Sequence, residues 1–187
     1  MNIDVLDRVL RLLWMLTLTL WLSLASESNE PVVVKRDRRS DIAVVIVSIG
    51  WVVLLLLAFD GPQIIPRIMS LRIIGSGITL IGIVFAISAR FYLGSNWDAF
   101  ISLKLRHKLV RTGPYAIVQH PIYAGFMVAL VGSVLNFGHL RSLIAAIMVI
   151  AAWVYKSGLE EAILRDHFGI EYDEYSRNVK RMIPWVW

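Results

Sequence analysis

Cysteine is absent from the 187 residues. Its absence removes disulfides, thiolate nucleophiles, iron–sulfur clusters and thiolate zinc sites together. Charge is also scarce. Asp, Glu, Lys and Arg make up 18% of the chain, against 57% hydrophobic residues, and mean hydropathy is +0.66. A single core of this size cannot hide that much apolar surface, so an ordinary soluble domain is excluded and a second apolar solvent, a bilayer, is implied. No Walker A loop, GxSxG elbow, HExxH pair or carboxylate cluster occurs. The four histidines, His107, His120, His139 and His167, are scattered without metal-ligand spacing, so no metal site and no metal- or serine-based hydrolysis is expected. Gly75 and Gly77 form a GxG, but no strand-to-helix turn surrounds it, and helix packing is the better reading. There is no internal repeat, and the length suits one domain over 1–187.

What the chain does have is long apolar runs. About 20 mostly apolar residues cross a bilayer as a helix. Residues 5–25, 42–59, 68–89, 117–137 and 142–158 qualify, which predicts an all-α bundle of about five spans. The second run is the cleanest, with no charge from Ile42 to Phe59. Ser23-Leu24-Ala25 resembles a signal-peptidase site, so a cleaved leader is the alternative for the first run. Asp4 and Asp7 favour a retained span, because signal n-regions are basic. Gly82 and Ala86 in the third run, and Gly125, Ala129 and Ser133 in the fourth, recur every four residues and allow close helix approach.

The formal charge is +5, from 19 basic and 14 acidic residues. In such a chain this points to an anionic leaflet before nucleic acid. With five spans, Arg8, Arg11, Arg67, Arg72 and Arg141 fall on one side. The other 14 basic residues, in the segments 35–39, 90–111 and 156–181, fall on the opposite side. The positive-inside bias then puts the N-terminus outside and the C-terminus in the cytoplasm. Segment 90–115 and the tail after Lys156 share the cytoplasmic face. Lys35 to Asp41 reads as a charged loop.

Two segments are too polar for lipid. The first runs from Leu93 to Tyr123. Gly113-Pro114 marks a turn, and Pro121 suits the first turn of the fourth helix, where its missing amide costs nothing. His120 then sits at a helix N-terminus that favours an anionic ligand group, or else it merely caps the helix while Tyr123 anchors at the interface. The second segment follows the fifth span. Lys156 and Glu160 share a face of a helix leaving the membrane, as a surface ion pair or as a seat for a cationic ligand group. Gly169 caps that stretch, and Tyr172, Tyr175 and Val179 form a stripe on a further short amphipathic helix, suited to packing or interface anchoring.

Taken in order, LGSNW, HKLVRTGPYAIVQHPIYAGF and EEAILRDHFGIEYDEYSRNVKRMIPW resemble the isoprenylcysteine carboxyl methyltransferase family of integral membrane enzymes. The resemblance covers roughly residues 93–187, a methyltransferase-like half. It implies an S-adenosylmethionine pocket at the cytoplasmic face, between the segment before the fourth span and the C-terminal helices, with S-adenosylhomocysteine as product. It places donor contacts on His107, Lys108, Leu109 and Val110, on Tyr115, on His120, Pro121, Ile122 and Tyr123, and on Glu160. The family's substrate-orienting arginine falls at Lys156, which keeps the charge and loses the bidentate fork. Gln119 stands where the family often has arginine.

The implied reaction moves a methyl group to a lipophilic acceptor, most simply the carboxylate of a prenylcysteine-like substrate drawn from membrane lipid. A carboxylate is ionised at neutral pH and needs no general base, which accounts for the missing catalytic dyad. The alternatives are a phospholipid or small-thiol methyltransferase, a steroid-reductase-like enzyme using NADPH, and a membrane scaffold or transporter. The nearly bare span centres disfavour a transporter.

Overall fold

The computed structural model describes residues 3–25, 32–34, 38–55, 61–97, 103–104 and 108–187. The described residues form six α-helices: α1 (Ile3–Ala25), α2 (Arg38–Leu55), α3 (Met69–Leu93), α4 (Pro121–Phe137), α5 (Leu140–Phe168) and α6 (Ile170–Asn178). Two short strands, β1 (Val32–Val34) and β2 (Leu103–Lys104), pair antiparallel. Apart from this small pairing, the regular structure of the described residues is helical, as the all-α expectation has it. Helices α3 and α5 are long and apolar enough to cross a membrane, and α4 is a shorter apolar helix.

The helices lie where the apolar runs predict, with differences at their ends. Pro121 opens α4 four residues later than the apolar run begins, because a 3-10 turn over Gly113–Ala116 and a short non-helical link precede it. Helix α5 passes through Lys156 to Phe168 without a break, so the helix expected to carry Lys156 and Glu160 continues the fifth apolar run as one rod. Arg38–Asp41 is the first turn of α2 and no loop; residues 35–37 lie outside the described residues.

Helices α3 and α4 approach most closely. A Cβ placed on Gly75 would lie 2.6 Å from the Gly132 carbonyl oxygen, and one on Gly82 would lie 2.5 Å from the Ala129 amide nitrogen. Only hydrogen fits there, so the four-residue spacing of small side chains becomes a backbone-on-backbone seam. Thr79 spans the seam, its hydroxyl donating to Ala129 O at 3.1 Å. Gly77 has open space around it, so of the GxG pair only Gly75 packs.

Helix α2 packs on α5, and α1 packs on α3 and α4. Trp14 anchors α1, fully buried, its indole N–H donating to Ser133 Oγ at 2.9 Å. At the other end of the same contact surface, Asp7 takes an ion pair from buried Arg72, a second from Arg67 at 3.0 Å and the Asn136 amide at 3.1 Å. The start of α1 therefore meets the start of α3 and the end of α4. The helices alternate in direction, and α1 is an integral wall of the bundle.

Candidate functional site

At the opposite end of the bundle, the segment before α4 and the tail after α5 are bonded together. The Gln119 amide donates to Lys180 O at 2.8 Å and the His120 amide to Arg181 O at 3.0 Å. The Gln119 side chain donates to Val179 O at 2.6 Å and accepts from the Tyr172 hydroxyl at 3.1 Å. The Tyr175 hydroxyl donates to Tyr115 O at 2.7 Å. Burial pushes the Tyr115, Tyr172 and Tyr175 phenols above their ordinary value, so they remain neutral donors near pH 7. The aromatic stripe of α6 thus docks the tail, as the packing reading expects.

This docking leaves His120 between two carboxylates. It holds the N-cap position of α4, yet its side chain makes no cap hydrogen bond. Its Nδ1 lies 3.4 Å from Glu160 Oε2 and its Nε2 lies 3.2 Å from Glu161 Oε1. Both contacts are hydrogen bonds at once only when both ring nitrogens carry protons. Arg181 pairs with Glu161 from the far side. Tyr123, one turn into α4, donates its hydroxyl to Glu160 Oε1 at 2.6 Å. Lys156, 5% exposed, places Nζ 3.9 Å from the same oxygen. Trp153, Lys156 and Glu160 are spaced three and four apart, so one face of α5 presents an aromatic wall, a cation and a carboxylate in succession.

Below this cluster is an apolar cavity of about 330 Å³. Trp21, Trp51, Trp97, Phe126 and Trp153 line it, and Tyr123 and Lys156 stand where it meets the polar groups. The Tyr123 ring stacks between His120 at 5.6 Å and Trp153 at 5.7 Å, so one ring column joins the polar cluster to the apolar wall.

The structure brings Tyr115, His120, Pro121, Ile122, Tyr123, Lys156 and Glu160 to this one end. Pro121 and Ile122 are buried, and Ile122 lines the cavity. Val110 packs against the core, Leu109 is partly buried and Lys108 is exposed. His107 lies outside the described residues. His139 is buried at the other end, as the N-cap of α5. Glu161 and Arg181 are site residues that sequence reasoning passed over, although Glu161 adjoins Glu160. Among the described residues no group of three or more His, Asp or Glu could hold a metal.

The family model described as phospholipid methyltransferase matches residues 71–171, more than half of the chain. The chain belongs to the phospholipid methyltransferase family. The matched residues run from the start of α3 to the start of α6 and include the His120, Tyr123, Glu160 and Glu161 cluster.

Relatives are found in the group that the sequence motifs resemble. A probable protein-S-isoprenylcysteine O-methyltransferase of Oryza sativa subsp. indica is 34% identical over 82 residues, 43% of this chain and 43% of that protein. Methanethiol S-methyltransferase 1 of Bradyrhizobium diazoefficiens is 46% identical over 72 residues, 38% of this chain and 24% of that protein. The solved structure of the eukaryotic intramembrane Ras methyltransferase ICMT (isoprenylcysteine carboxyl methyltransferase) superposes with a TM-score of 0.57 at 26% identity. That match covers 82% of this chain and 55% of the other. The chain thus spans between 24% and 55% of the length of these relatives.

Proposed function

We propose that this phospholipid methyltransferase family member is an integral membrane enzyme that moves a methyl group from S-adenosylmethionine to a lipophilic acceptor, the carboxylate of a prenylcysteine-like molecule. The observation that carries the reading is the contact between the two halves of the site: Tyr123 and Lys156 share Glu160 on one side and line the apolar cavity on the other. A polar, charge-bearing niche and an oily slot meet at those two side chains. An enzyme joining a water-soluble donor to a lipid-soluble acceptor needs that junction.

The residues present suit such a donor. The Glu160 side chain keeps 22% of its surface exposed, and aromatic rings stand beside it. Carboxylates and ring faces both attract a sulfonium or ammonium group. Glu160 would hold the cationic part, and His120 with the amides at the start of α4 would hold an anionic or hydroxyl-bearing part. Lys108, Leu109, Val110, Tyr115, Pro121 and Ile122, together with His107, complete the donor set in this reading. The donor supplies a methyl group already activated on a positively charged sulfur. The chain's own residues align, desolvate and shield; Lys156 orients the acceptor carboxylate from the cavity side. Alignment alone lowers a bimolecular barrier by about 7–11 kcal/mol in favourable cases.

In this reading the chain crosses the membrane five times, with the N-terminus outside and the site at the cytoplasmic leaflet. The alternating helix directions and the concentration of basic residues at the site end support that arrangement. A small thiol is the second acceptor class, favoured by the 46% identity to the methanethiol enzyme.

Purified protein titrated with S-adenosylhomocysteine and with NADPH tests the reading. Thermal stabilisation by the first and none by the second is expected. Stabilisation by NADPH alone would replace the methyltransferase with a reductase.

A further inference from the structure

Resting on the acceptor reading above, we propose that Trp51, on a helix that the family match does not reach, is the floor that sets how long an apolar acceptor chain the cavity takes. The cavity occupies the half of the bundle nearest the polar cluster. Its wall on α1 is Leu18, Trp21 and Leu22, and its wall on α2 is Val44, Val47, Ser48 and Trp51. Helix α1 runs toward the cluster and α2 runs away from it. Trp51 is therefore the α2 lining residue farthest along the path from Lys156.

Trp51 does not stand alone. Trp14 backs it at a ring-centroid distance of 4.5 Å, and Trp14 is itself fully buried and pinned to Ser133. Phe126 and Trp153 flank Trp51 at 6.2 and 6.3 Å. These tilted and edge-on rings, backed by buried Trp14, close the cavity on its side toward the bundle interior. The floor belongs to α1 and α2, outside residues 71–171. The donor side is built from the matched segment, and the chain-length limit from the unmatched one. This division lets a shared methyl-transfer half serve acceptors of different size.

The cavity volume gives the limit a magnitude. About 330 Å³ has room for a chain on the order of ten carbons, by the ~30 Å³ that a water-sized group takes up in a liquid. A ten-carbon isoprenoid fills the slot. A longer chain must turn out sideways, between Leu22 and Ser48, both exposed on the faces of α1 and α2.

The test uses the full-length protein in phosphatidylcholine vesicles with N-acetylcysteine thioethers bearing ten-, fifteen- and twenty-carbon isoprenoid chains. Comparing variants at one chain length cancels partition into the lipid. In Trp51→Ala, kcat/KM for the fifteen-carbon thioether relative to the ten-carbon one should rise about tenfold or more over wild type, tenfold being the lower end of what one methylene is worth in an apolar pocket. Val47→Phe should move the ratio the other way, and Val128→Ala, on the exposed face of α4, should leave it unchanged. S-adenosylhomocysteine binding should be the same in all three, which reports folding. Quenching of indole fluorescence by the same thioethers ranks the chains without catalysis. Binding with no methyl transfer to any of them overturns the proposed reaction and leaves the floor standing. A ranking in both Trp51→Ala and Val47→Phe identical to wild type overturns the floor.

Discussion

The Tyr123 hydroxyl donates to Glu160 at 2.6 Å, joining the first turn of α4 to the last third of α5 across the mouth of the cavity. A hydrogen bond to a carboxylate is worth about 1.5–3 kcal/mol, and this one also fixes the direction of Glu160 toward its neighbours His120 and Lys156. Glu160→Ala and Tyr123→Ala should each weaken S-adenosylhomocysteine binding by tenfold or more in a calorimetric titration. His139→Ala, at the other end of the bundle, should leave the affinity at the wild-type value. Equal affinities in all three would remove the site from this end of the molecule.

The Gln119 side chain is the knot of the tail. It reaches Val179 O, Ser176 O and the Tyr172 hydroxyl. Gln119→Ala leaves those partners without a match and should cost about 1–3 kcal/mol. Limited proteolysis should then cut near α6 while the bundle survives. Tyr172→Phe, which removes one of the three contacts, should show a smaller effect in the same digest.

The seam between α3 and α4 predicts a contrast between two glycines, Gly132 on α4 and Gly77 on α3. A Cβ on Gly132 would lie 2.5 Å from the Gly75 carbonyl oxygen, with backbone on both sides of it. Gly132→Val should abolish a folded, monodisperse protein in size-exclusion chromatography. Gly77→Ala meets nothing, and it should be tolerated or should raise the melting temperature slightly, by the ~1 kcal/mol of helix propensity.

Asp7 is the carboxylate partner of Arg72, a side chain only 1% exposed. Removing one member of a buried pair costs about 3–5 kcal/mol, because the other charge stays behind. Asp7→Ala should therefore lower the melting temperature sharply. Arg111→Ala breaks a 2.7 Å ion pair with Glu171 whose members are 47% and 48% exposed, and should cost less than 1 kcal/mol.

Much of this was legible in the sequence. Apolar runs of membrane-spanning length located five helices, and Gly-Ala-Ser spacing located the α3–α4 seam. The HPIY and EE motifs point to His120, Tyr123 and Glu160, which the fold brings into contact. What was missed depends on long-range geometry. Periodicity assigns residues to a face of one helix, but it says nothing of which face meets which. Glu161 lies one residue, about a third of a turn, from Glu160; only because His120 projects between them do both carboxylates reach one imidazole. Arg181 joins them through a parallel bridge between Val118 and Lys180 that no local pattern signals. Asp7 read as an argument about signal peptides; its pairing with Arg72 across 65 residues makes it a structural clamp. The β1–β2 pairing escaped because strands of three and two residues carry no period.

The most direct measurement is methyl transfer itself. Full-length protein in vesicles, given tritiated S-adenosylmethionine and a cysteine thioether carrying an isoprenoid chain and a free carboxylate, should yield radioactivity released as methanol by mild base, the signature of a methyl ester. Glu160→Ala should lose that signal. A folded preparation that binds neither S-adenosylhomocysteine nor the thioether, and releases no label, would contradict the account at its centre.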